Sequence, residues 1–114
     1  MDIIAMTESK KLVNPVTFTV SLLSGKWKLK LLLKLKEGTK RFKELERELK
    51  GITPRMLVRE LKELEEKGIV NRTVYPEIPS RVEYSLKEAA YSLLEVIDII
   101  EKWGIQHLEQ TKGI

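Results

Sequence analysis

Three basic residues, Arg55, Arg59 and Lys62, recur at spacings of four and three within the run from Pro54 to Lys67. Wound as a helix at roughly 100° per residue, that run gathers them with Glu66 inside about 60° of arc. Leu57, Leu61 and Leu64 line the opposite side, which must face a core. An arginine guanidinium grips guanine O6 and N7 with two parallel hydrogen bonds, and Arg or Lys neutralises phosphate oxygens. Thr53 precedes the proline, so its hydroxyl can cap the helix and leave the first N–H groups beside an anion. The expected polyanion surface therefore comprises Thr53, Pro54, Arg55 and Met56 at the leading end, then Arg59 and Lys62. A blander reading stays open for the helix alone, in which these bases only solvate it or pair with Glu63 and Glu66.

The charge distribution favours the first reading. The net charge is +4, yet residues 26–50 hold ten bases against four acids, while residues 87–114 carry five acids and three bases. A basic block of that kind suits a polyanion. Other chemistries lack their residues. There is no cysteine, which excludes disulfides, thiolate metal sites, thiol nucleophiles and thiol redox sensing. The lone His107 has no ligand spacing, clustered carboxylates or Gly-rich phosphate loop around it, so we expect no enzyme, no cofactor and no metal. No apolar run approaches the roughly 20 residues needed to span a bilayer. The first residues carry Asp2 and Glu8, unlike a signal peptide, so a cytoplasmic location and no membrane partner are expected.

These residues need elements to hold them. Asn14-Pro15 reads as a cap and first helical residue, followed by Val16, Val20 and Leu23 at helical spacing, with Ser24-Gly25 as the stop. From Trp27 to Lys36, alternating Leu and Lys suggest a strand, but Leu32 breaks the alternation and β-branched residues are absent. Helix is therefore expected there. Phe42 to Leu49 is a short amphipathic helix, and Lys50-Gly51-Ile52 is a tight break before Thr53-Pro54 opens the longer helix that Gly68 ends. Two helices joined by a short Gly-containing turn outline a helix-turn-helix. Ile69–Tyr75 and Arg81–Leu86, separated by Pro76 to Ser80, form a β-hairpin. Lys87 to about Leu108 is a last helix with two apolar stripes, Ala90, Leu93, Ile97 and Ile100 on one, Val96, Ile99 and Trp103 on the other. One stripe suffices for docking; the second marks either a partner chain or a simply well-buried helix.

The expected fold is mainly α with a small β-hairpin (α+β), a winged helix-turn-helix. One domain over residues 14–110 lies between an N-terminal arm, 1–13, and a tail, 111–114. In such a fold the hairpin carries Arg72 and Arg81 to the backbone or to a minor groove whose negative potential attracts arginine. Lys40, Arg41 and Lys43 would contact phosphates at the start of the preceding helix.

The combination of Gly25-Lys26-Trp27, Arg41-Phe42, Ile52-Thr53-Pro54-Arg55-Met56-Leu57, Tyr75-Pro76-Glu77-Ile78-Pro79 and Val82-Glu83-Tyr84-Ser85-Leu86 resembles the HxlR-type regulators. The similarity runs from about Asn14 to Gly104. It implies a homodimeric winged helix transcriptional regulator that binds double-stranded DNA, dimerising through its first and last helices. Val16, Val20, Leu94, Ile97, Ile100 and Trp103 are the residues expected at that interface. Two positions depart from the family. Asn14 replaces a cysteine that senses thiol-reactive compounds in some members, and Lys87 replaces a capping threonine, leaving Ser85 as a substitute cap. A winged helix that binds protein or RNA is the alternative, since fold alone does not fix function. Its outward helix face would carry apolar or acidic groups rather than Arg55, Arg59 and Lys62. Trp103 and the apolar helices leave open a small-molecule effector pocket between protomers.

Overall fold

The computed structural model describes residues 13–111, so the expected arm and tail lie outside the described residues except for Val13 and Thr111. The elements run α1 (Pro15–Leu23), α2 (Lys28–Lys36), β1 (Lys40–Arg41), α3 (Phe42–Glu48), α4 (Pro54–Glu66), β2 (Val70–Tyr75), β3 (Arg81–Leu86) and α5 (Glu88–Thr111). Mostly helical, with a small antiparallel sheet, it is the expected fold class, enlarged by one strand.

Local chemistry sets most boundaries. Asn14 Oδ1 accepts the N–H groups of Val16 at 2.8 Å and Thr17 at 3.0 Å, satisfying donors that α1 cannot pair internally. Thr53 Oγ1 does the same for the Met56 N–H of α4, at 3.1 Å. At the far end of α4, Gly68 takes φ +76°, a left-handed conformation that disfavours a side chain. There the Gly68 and Ile69 N–H groups bond back to the carbonyls of Glu65 and Leu64, both at 3.0 Å.

The Trp27–Lys36 stretch is helical. Trp27, Leu31, Leu32 and Leu35 are buried, whereas Leu33, which an alternating strand would bury with Leu31 and Leu35, is exposed. The hairpin acquires a third strand that the sequence reading lacks: β1 pairs with β3, Lys40 opposite Tyr84 and Arg41 opposite Glu83. The sheet order is β1-β3-β2, and β2 meets β3 from Val70 opposite Leu86 to Tyr75 opposite Arg81. Leu45, Leu57, Leu61, Leu64 and Val70 form the centre of the core with Leu31, Leu32 and Leu35 of α2, closed at its edge by Tyr84, Leu86 and Ala90. Deep aliphatic burial of this kind is the main force holding so small a domain together.

Two expectations fail. Ser85 does not begin the last helix; it lies inside β3 opposite Asn71, and Lys87 is the residue before α5. The Lys87 N–H donates to the Ile69 carbonyl at 2.8 Å, tying that junction to the sheet. Leu94 is 7% exposed in the single chain and belongs to its own core, so it is removed from the dimer residues. Ala90, Leu93 and Leu94 dock the first turns of α5.

Candidate nucleic-acid interface

α4 is held from behind by charge as well as by leucine. Lys28 Nζ lies 2.8 Å from Glu60 Oε1 and 2.8 Å from Glu63 Oε2, with its side chain only 11% exposed. Lys67 Nζ is 3.5 Å from Glu63 Oε2 and donates to Ser21 Oγ of α1 at 3.0 Å. Glu63 is thus turned toward α2 and α1. The bases of the outer face do not pair with it, so pairing with Glu63 drops out of the bland reading of that helix.

What remains on the outer face is open to solvent. Arg55, Arg59 and Lys62 are exposed. Arg59 has a 71% exposed side chain and meets only its neighbour Glu60, at 3.8 Å. Thr53 and Pro54 are exposed at the leading end, but Met56 is half-buried and packs against the core, so its side chain offers little to a ligand.

Two clefts flank this face. Val58, Lys62 and Glu65 of α4 line one with Arg72 of β2 and Tyr84 of β3. Arg41 and Lys43, at the start of α3, line the other with the turn and the beginning of β3, residues 77–82. α4 thus shares one cleft with the strands of the hairpin, and the start of α3 shares another with its turn. Arg41, Lys43 and Arg72 are exposed there.

Two expected contacts are already engaged. Lys40 Nζ sits 3.0 Å from Glu48 Oε1 and 3.3 Å from Glu37 Oε1. Arg81 has Nη2 2.8 Å from Glu77 Oε2 and Nη1 3.6 Å from Glu83 Oε2, with its guanidinium 4.0 Å above the Tyr75 ring. Sequence reading missed these clamps, although Glu77 and Glu83, four before and two after Arg81, are the acids that a hairpin returns to its side.

The pairs also shift protonation. A hydrogen bond from Lys28, aided by the charges of Lys28 and Lys67, outweighs burial and holds the Glu63 carboxyl below its ordinary 4.5. Lys40 does the same to Glu48, helped by the charges of Lys34 and Arg47. Burial pulls the Lys28 ammonium down, but hydrogen bonds and charge from Glu60 and Glu63 prevail and leave it above 10.5. A depressed carboxyl contributes stability that is present above its unfolded value and is lost as pH falls through the folded one. The raised lysine contributes stability present below 10.5 and lost as pH rises through its folded value. The melting temperature should accordingly be level from about pH 6 to 9 and fall once pH drops below about 4.5. A melting temperature still level at pH 3 would show that these pairs carry no net stability.

A helix-turn-helix followed at once by a β-hairpin, with free bases on the second helix, defines the winged helix-turn-helix transcriptional regulators. The chain belongs to the HxlR-like helix-turn-helix family, whose sequence profile matches residues 22–112. It is similar to the HTH-type transcriptional regulator YtcD of Bacillus subtilis, with 41% identity over 106 residues, 93% of this chain and 84% of the relative. Among solved structures, a MarR-family transcriptional regulator from Enterococcus faecalis superposes with a TM-score of 0.79 at 38% identity, covering 87% of this chain and 90% of that one. The redox regulator HypR in its reduced form gives 0.77 at 40% identity, covering 89% of this chain and 100% of that one. Among the described residues no helix is long and apolar enough to cross a membrane.

Proposed function

We propose that the protein is a sequence-specific regulator that binds duplex DNA as a homodimer, each protomer placing α4 in a major groove with the hairpin beside it. The observation that carries this reading is the exposed basic face of α4, with the Arg59 side chain 71% exposed while Glu60 and Glu63 of the same helix are held by Lys28. Arg55 and Arg59 contact base edges. Arg41, Lys43, Lys62 and Arg72 contact phosphates, and the Thr53-capped end of α4 faces the backbone. Lys40, held by two glutamates, contributes little.

The dimer reading rests on α5. After Leu94 none of its residues through Gln110 is buried, although Val96, Ile99, Ile100, Trp103, Ile105 and Leu108 are large and apolar. Val16, Phe18 and Val20 of α1 are exposed as well, and Ile97 and Ile100 line an apolar cleft with Val20, Leu23 and Leu29. Apolar surface of that extent calls for a partner, and a second copy satisfies it with two-fold symmetry. HypR is a redox regulator by name; a chain without cysteine receives no signal through a thiol, and Asn14 serves as a helix cap.

The test is selection from random duplexes at two salt concentrations, followed by Arg59→Ala. A two-fold symmetric motif is expected, with affinity falling steeply as salt rises. The variant should lose about 1–3 kcal/mol on that motif and relax its preference. Equal loss on every sequence would move Arg59 to phosphate, and selection of no motif would transfer the surface to a protein partner.

A further inference from the structure

We infer that the wing contacts DNA through an apolar tip, Ile78, inserted into the minor groove, and that Arg81 positions the tip rather than touching DNA. The inference rests on the DNA-binding reading and names the residue through which the wing acts. Single exposed aliphatic residues are ordinary on protein surfaces. Ile78 differs in place and degree. It is 102% exposed, the most exposed large hydrophobic residue among the described residues, and it stands between Pro76 and Pro79 at the outermost turn of the hairpin.

The base that would otherwise serve the wing is occupied. Arg81 spans the foot of the turn, bonded to Glu77 on one side and Glu83 on the other, with Tyr75 beneath its plane. Its charge is matched locally, and leaving two carboxylates to reach a phosphate would expose both to a polyanion. The same arrangement closes the loop at its base and neutralises Glu77, the acid nearest the tip. The wing then presents a stiff apolar point with little net charge. Arg41 and Lys43 line the cleft shared with Ile78 and Pro79, supplying the positive flank that draws a phosphate backbone to this side. An aliphatic wedge beside bases is the composition with which proteins enter a minor groove and part a base step. Flexible pyrimidine–purine steps yield most readily.

The experiment uses the full chain and its selected duplex, with 2-aminopurine placed in turn at the steps flanking the major-groove motif. Binding of the wild type should raise fluorescence at one flanking step, and Ile78→Ala should abolish that rise. The variant should bind on the order of tenfold more weakly, with an unchanged slope of log affinity against log salt and an unchanged melting temperature. Replacing Glu77, Arg81 and Glu83 together by glutamine should weaken binding with the slope also unchanged, because it frees the tip without removing a phosphate contact or uncovering a carboxylate beside the DNA. A slope smaller by about one in that triple variant would identify a direct phosphate contact and overturn the positioning role. Wild-type affinity in Ile78→Ala, or no fluorescence change at any flanking step, overturns the wedge while leaving sequence-specific binding intact. Wild-type protein that selects no duplex overturns both readings.

Discussion

Replacing Lys28 by alanine is expected to destabilise the fold by about 3 kcal/mol. The residue lies where α2 faces α4, and its removal leaves Glu60, 13% exposed, with no buried counter-ion. Glu63 suffers less, because it is 38% exposed and keeps Lys67 at 3.5 Å; water screens what that pair loses, which places the effect at the lower end of the range for broken buried pairs. Urea unfolding should show the midpoint falling with the slope unchanged. The double variant Lys28→Met/Glu60→Leu should recover most of the loss, since an apolar pair of similar volume has no charges left to desolvate. A loss below about 1 kcal/mol in Lys28→Ala would mean that the pairing behaves like a surface salt bridge. Such a result would leave the leucine stripe as the sole anchor of α4.

The second large effect concerns assembly. Ile100→Asp places a carboxylate among the apolar residues of α5 at a position 52% exposed in the single chain, so each protomer should still fold. Burying that charge in a two-fold interface would occur twice, without a partner on either side. Light scattering should give a mass near the 13.2 kDa of one chain where the wild type gives twice that. Affinity for the selected duplex should fall by about 100-fold or more, because two linked half-site contacts become independent ones. An unchanged dimer mass would locate the interface elsewhere than the middle of α5.

Much of this architecture was legible from residue type. Asn14-Pro15 and Thr53-Pro54 announce two helix starts, and both caps form. The Leu57, Leu61 and Leu64 stripe orients α4 from the sequence alone, because those three leucines fall on one side of the helix and all three are buried. The Trp27–Lys36 stretch was a closer decision. Its period resembled a strand, and intrinsic helix preference gave the right answer because no β-branched residue opposed it.

The misses share a physical cause. β1 is two residues long, too short for any periodicity, and exists because β3 offers it an edge. Leu94 belongs to a helix with two apolar sides, and only tertiary packing decides which side the chain keeps for itself. A lysine such as Lys28 reads as solvent-facing from its type; its burial depends on α2 meeting Glu60 and Glu63 of another helix. The pairing of Arg81 with Glu77 and Glu83 is likewise absent from residue type alone, since it depends on how the hairpin turn folds.

The bond from Lys67 to Ser21 has a mechanical meaning alongside the Lys28 pairs. α4 is fastened to α2 near its middle and to α1 at its end. A direct side-chain bond therefore ties the end of the helix proposed to read bases to the helix that carries Val16 and Val20. In the proposed dimer the gap between the two reading helices is consequently a dimension of the assembly, set by how α1 and α5 meet their counterparts. A change in that meeting, produced for instance by a small apolar molecule lodged among Val20, Leu23, Leu29, Ile97 and Ile100, would alter the span offered to successive turns of the duplex.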